Sequence, residues 1–117
     1  IVFGDWSSDV CSSDLCFVED LIEGIYRLLL SDEHDPVNIG NPAETTILEF
    51  AQTINQLTQN PAGIIFKPDL RLGDDPQRRR PDITRAQTIL NWQPTIDIQT
   101  GLLRTIPYFR QKIFGAA

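Results

Sequence analysis

Apolar residues along this chain alternate between short runs that suit strands and stripes that suit helices. Ile1-Val2-Phe3 is β-favouring and stops at the turn pair Gly4-Asp5. Cys16-Phe17-Val18 is a second apolar, strand-like run. Glu19-Asp20 then put negative charge where a helix N-terminus favours it. Leu21, Ile22, Ile25, Leu28 and Leu29 recur at i, i+1, i+4, i+7 and i+8, which predicts one face of a helix ending near Ser31. Pro36-Val37-Asn38-Ile39-Gly40 is a short strand candidate that would suit the buried parallel sheet of a larger domain.

Asn41-Pro42 predicts a turn. Thr45 or Thr46 can cap the next helix, and Glu49, three residues beyond Thr46, completes a capping box. Ile47, Phe50, Ala51, Ile54 and Leu57 form its buried stripe, and Asn60-Pro61 ends it. Gly63-Ile64-Ile65-Phe66-Lys67-Pro68 reads as another strand. Ala86, Ile89 and Leu90 mark a short helix that stops before Asn91-Trp92-Gln93-Pro94, with Trp92 as a core plug. Asp97 caps a last helix whose apolar face is Ile98, Leu102, Leu103, Ile106 and Phe109. Pro107 inside it predicts a kink, and Gly115 the end. The alternation of helices and strands argues an α/β class or a mixed subdomain.

One stretch breaks the pattern. Residues 5–15 carry Ser-Ser-Asp twice and show neither the helical nor the strand period. They look like the translated read-through of a sequencing adapter, a scar to set aside from fold reasoning; the alternative is a disordered polar loop rich in turn residues. The expected organisation is a strand remnant at 1–4, this stretch at 5–15, and one subdomain at 16–114.

Composition narrows the function. A chain of 117 residues with 41% hydrophobic and 22% charged residues is an ordinary globular chain of at most one domain. A net charge of -6 argues against nucleic acid as a partner. Cys11 and Cys16 lack C-x-x-C spacing and His34 is the only histidine, so no metal site is expected and a reduced, cytoplasmic protein fits best. No run of about 18 apolar residues predicts a membrane span. The chain opens on Ile1, inside an apolar pattern, which suggests a fragment.

The densest chemistry lies in Gly73-Asp74-Asp75-Pro76-Gln77-Arg78-Arg79-Arg80-Pro81-Asp82. Each proline fixes its own φ and pushes the preceding residue out of the helical region, so the segment is a stiffened loop. Guanidinium forks suit a diphosphate because they donate paired hydrogen bonds in a plane, and a nearby aspartate can accept from ribose hydroxyls. Charge pattern alone also fits a solvated loop whose acids and bases neutralise one another.

Several stretches together resemble one family. Cys16-Phe17-Val18-Glu19-Asp20-Leu21-Ile22-Glu23-Gly24 is similar to a segment of the extended short-chain dehydrogenase/reductases that act on nucleotide sugars. Pro36 to Pro42, Thr46 to Ala51, Asp74 to Ile83 and Leu90 to Arg110 resemble the UDP-glucuronic acid decarboxylases among them. The resemblance implies an incomplete Rossmann-type α/β fold, here its C-terminal substrate-binding portion. It implies NAD held by polypeptide outside this chain, a UDP-sugar substrate, a homodimer in the full-length protein, and loss of CO2 through a 4-keto intermediate. Epimerase and 4,6-dehydratase chemistry on the same fold, or a non-catalytic binding module, are the alternatives. No G-x-x-G-x-x-G is present and no Tyr-x-x-x-Lys pair is expected, so the NAD site and the catalytic tyrosine and lysine are expected outside this chain and no catalytic residue is assigned to it. By position the resemblance offers Phe3 as a base contact, Asp75 as a ribose acceptor and Arg79 as the diphosphate clamp. Ser13 stands where the family has a phosphate-contacting arginine.

Overall fold

The computed structural model describes residues 2–4, 11–12, 15–67 and 78–115. Its elements in chain order are β1 (Val2–Gly4), β2 (Cys11–Ser12), α1 (Val18–Leu29), α2 (Ile47–Thr58), β3 (Ile65–Lys67), β4 (Arg78–Arg79), α3 (Thr84–Leu90) and α4 (Ile98–Phe114). Two short parallel ladders are present. β1 runs beside β3 with Phe3 opposite Phe66, and β2 runs beside β4 with Ser12 opposite Arg79. A parallel pair needs a crossover, and α1 and α2 lie in the connection between β1 and β3. The chain is therefore α/β in pattern, with about half of its described residues helical.

The helix ends follow local chemistry. Thr46 accepts from the Glu49 amide at 3.1 Å while the Glu49 carboxylate accepts from the Thr46 amide at 2.9 Å, so the capping box forms as its spacing predicts. α2 stops at Gln59, which adopts the left-handed region at φ 53 just before Asn60-Pro61. Asp97 caps α4 by accepting from the Thr100 amide at 2.7 Å. α4 continues through Pro107 as one helix from Ile98 to Phe114. Asp82 accepts from both the amide and the hydroxyl of Thr84 and so tethers the first turn of α3 from outside it.

Two expected strands are absent among the described residues. Val18 already begins α1, so the apolar run at 16–18 supplies the helix entrance instead of a strand. Residues 36–39 carry no strand assignment and pair with no described strand. A strand exists only where a partner takes up its backbone groups, and period and composition alone cannot supply one.

The core is small and sits where α3 and the following loop meet α1. Ile83, Ala86, Leu90 and Trp92 are buried, and Cys16, Leu28, Val37 and Ile39 pack against them. Trp92 is the plug its position predicts, 2% exposed. Ala51 is the fully buried residue of α2, and the other apolar residues of that stripe are half-buried.

Candidate nucleotide-sugar site

The arginine-bearing loop is anchored at its C-terminal end. Gly40 packs so closely on Pro81 that an added Cβ would lie 3.0 Å from the proline ring. Asn38 donates to the Asp82 carbonyl at 3.2 Å. Arg85 reaches the Glu33 carboxylate at 2.9 Å and the Pro36 carbonyl at 3.3 Å. The side chain of Asn41, buried in the same turn, accepts from the Ala43 amide. Residues 80–85 are thus fastened onto 33–43, and an open polar groove runs between Pro42, Arg80, Asp82 and Gln87. Arg80 is exposed at its edge.

Local hydrogen bonds hold the acids around this turn as anions. Bonding from the Thr84 hydroxyl and amide keeps Asp82 below its ordinary carboxyl value. Amide donation from Asp35, with help from Arg85, does the same for Glu33. Neither acid is held protonated as a general acid would have to be.

Of the expected site residues, Arg79 lies on β4 with its backbone beside Ser12, one residue from Ser13. Phe3 lies on β1 beside Phe66, in the other ladder. Asp75 lies outside the described residues, as does most of the loop that precedes Arg78. The described ladders do not join Phe3 and Arg79 in one sheet.

A second cluster orients the segment that leads into α1. The Asp20 carboxylate is buried, 6% exposed, and accepts from the Thr95 amide at 3.0 Å, the Thr95 hydroxyl at 2.9 Å and the Ile96 amide at 2.8 Å. Trp92 donates its indole N–H to the Asp20 carbonyl at 3.0 Å. This acid clamps the α1 N-terminus to the strap before α4, a role that a reading of helix-end charge alone does not reveal. Beside the clamp, Phe17 seats against Gly101 of α4 and under the Arg104 guanidinium, 5.7 Å from its ring, while Arg104 pairs with Glu19 at 2.7 Å. An apolar hollow between Cys16, Phe17, Phe50 and Leu102 follows from this arrangement. Burial, with the Asp20 charge adding to it, pushes the Cys16 thiol above its ordinary value.

The expectation that the chain has no Tyr-x-x-x-Lys pair does not hold. Tyr108 and Lys112 stand four apart, the spacing of a proton-transfer tyrosine and its lysine. They lie near the exposed end of α4, where the lysine ammonium sits 5.7 Å from the tyrosine ring and no described pocket encloses them. The spacing there makes a cation–π contact on an open helix.

The described residues do not fit a dinucleotide. A pyrophosphate cradle needs glycines at a strand-to-helix turn. Here Gly24 and Gly101 lie within helices, blocked by Ile39 and Phe17, and Gly40 is closed by Pro81. Among the described residues no cluster of acid, histidine and cysteine side chains could hold a metal, and no helix is long and apolar enough to cross a membrane.

No family model matches the chain. Over 97 residues it is 46% identical to UDP-glucuronic acid decarboxylase 1 of Danio rerio, covering 83% of this chain and 23% of that protein. UDP-glucuronic acid decarboxylase 2 of Arabidopsis thaliana is 41% identical over 99 residues, with 85% and 22% covered. The chain therefore spans about a quarter of the length of these relatives. Among solved structures, an epimerase of Methanothermobacter thermautotrophicus superposes with a TM-score of 0.84 at 29% identity, over 92% of this chain and 32% of that one. UDP-glucuronic acid 4-epimerase of Bacillus cereus, solved with UDP-glucuronic acid and NAD, gives 0.80 at 24% identity over 95% and 35%, a likeness of fold.

Proposed function

For a chain that belongs to the extended short-chain dehydrogenase/reductases of the NAD-dependent epimerase/dehydratase type, and that matches their UDP-glucuronic acid decarboxylases, we propose the role of substrate-binding portion of such a decarboxylase. The reaction would convert UDP-glucuronate to UDP-xylose and CO2. The observation that carries the reading is the 46% identity over 97 residues to a decarboxylase, well above the identity to the superposed epimerases. NAD and its redox chemistry belong to polypeptide outside the described residues. The working protein would be a cytoplasmic homodimer.

Within that portion, Arg79 would grip the diphosphate, Asp75 the ribose and Phe3 the uracil. Position 13 holds serine where the resemblance places a phosphate-contacting arginine, and a second guanidinium there would add a second donor fork to the diphosphate. A neutral serine cannot replace that charge. We further propose that residues 5–15 are foreign to the working enzyme and that 16–114 is the working unit.

The test is a chimera in which this chain follows the first three-quarters of a decarboxylase relative. CO2 release from UDP-glucuronate with NAD is the expected outcome. Recovery of UDP-galacturonate without CO2 would replace the reading with epimerisation. In the same chimera Ser13→Arg should tighten UDP binding at least tenfold by titration calorimetry, and Arg79→Ala should weaken it by a similar factor. Equal affinities would remove these residues from the site.

A further inference from the structure

Two residues distant in sequence pin the arginine-bearing loop at one point. The first carbonyl taken up by α3 is that of Ile83, which accepts from the Gln87 amide at 3.0 Å. The Asp82 carbonyl lies one residue before that ladder, and Asn38 donates its side-chain amide to it at 3.2 Å. Asn38 is exposed, so without this bond both groups could turn to water. A bond of that kind adds little to stability, because water replaces it at small net cost. What it does fix is the position of the Asp82 backbone.

Gly40 fixes the neighbouring residue by contact. It is buried against Pro81, where an added Cβ would lie 3.0 Å from Cγ and 3.4 Å from Cβ of the ring. A proline ring has no free end to swing away, since it is closed onto its own backbone nitrogen. A side chain at position 40 would therefore push the backbone at Pro81 aside by a few tenths of an ångström.

Both contacts bear on 81 and 82, and Arg79 stands just upstream. Three peptide units, about 11 Å of extended chain at most, separate Arg79 from Asp82. Pro81 stiffens that stretch, because it fixes its own φ and bars Arg80 from the helical region. A displacement at the pin is thus passed on to Arg79 with little of it absorbed on the way. The pin also sets the width of an opening: Pro42 lines the polar groove from one side, and Arg80 and Asp82 line it from the other. A guanidinium fork tolerates little misplacement, since paired bonds to phosphate oxygens depend on both plane and distance.

We propose that Asn38 and Gly40 are positioning residues for the diphosphate, aiming Arg79 without touching the nucleotide themselves. The proposal rests on the reading of Arg79 as the diphosphate clamp, and its test separates the failure of one from the failure of the other. UDP affinity is measured by titration calorimetry in the chimera carrying Ser13→Arg. The variants are Asn38→Ala, Gly40→Ala and Arg79→Ala, with each of the first two also combined with Arg79→Ala. Asn38→Ala and Gly40→Ala should each weaken UDP about fivefold when Arg79 is present, and less than about 1.5-fold when it is alanine, the mark of residues that act through one another. In both single variants KM for UDP-glucuronate should rise while kcat holds, because the grip on the diphosphate is the same in the ground and transition states.

Losses of equal size with and without Arg79 would reveal a merely structural role and overturn the proposal. Arg79→Ala weakening UDP while Asn38→Ala and Gly40→Ala do not would also overturn it, leaving the clamp in place. An Arg79→Ala variant that binds UDP unchanged would withdraw the clamp and the positioning role together. Because Asn38 is exposed, its variant carries the test even where Gly40→Ala fails to fold.

Discussion

At the scale of single residues, the molecule depends on a buried acid and a tight glycine. Asp20 satisfies two backbone amides and a hydroxyl of the 95–96 strap. Asp20→Ala would leave these part-buried donors without their partner, at roughly 1–3 kcal/mol. Amide exchange at Thr95 and Ile96 is expected to accelerate by about tenfold or more, and unchanged exchange would show that the clamp contributes nothing. Gly24→Ala sets two effects against each other. Alanine gains about 1 kcal/mol of helix propensity, but its Cβ would meet Ile39 at 2.6 Å and Trp92 at 3.1 Å. Overpacking of this kind costs about 1–3 kcal/mol, so the substitution should lower the urea midpoint of the chimera.

At the scale of elements, the helices start and stop where their own residues say they should. Thr46→Ala breaks the capping box of α2 and should cost about 1 kcal/mol. The loss would be read from the chimera's denaturation midpoint. The caps also predict a pH dependence. Donation from the Thr46 amide holds Glu49 below 4.5, and donation from the Thr100 amide holds Asp97 below 3.8. A carboxyl lowered in the folded state stabilises it fully above the ordinary value and loses that contribution as pH falls through the folded value. Helix content by circular dichroism should therefore hold down to about pH 4.5 and decline below it. Asp97→Asn combined with Glu49→Gln, which keep an acceptor but cannot titrate, should make that decline shallower. α1 shows the limit of a local reading: its period identifies a helix correctly, yet both its faces carry apolar residues, and the buried one holds an aspartate and a glycine.

At the scale of the whole molecule, the chain is spread thin. Its radius of gyration is 16.9 Å, where a compact domain of this length has about 13 Å. Its shortest dimension, 19 Å, is about two helix diameters. Large apolar residues of α1 and of the last turns of α4 stand more than half exposed. The 117-residue chain by itself should therefore melt without a cooperative transition. A sharp, concentration-independent calorimetric peak from the monomer would refute that expectation.

The sequence by itself determined the helices, their caps, the Trp92 plug and the family. These rest on short-range chemistry: a hydroxyl three residues from an amide, a stripe at helical spacing, a motif of fixed order. Tertiary structure alone decided which side of α1 is covered, that Asp20 is a clamp, that residues 36–39 lack a described partner, and that Arg79 runs beside Ser12. Each of these depends on residues brought together from distant parts of the chain, and neither hydrophobic period nor charge pattern carries information about such neighbours.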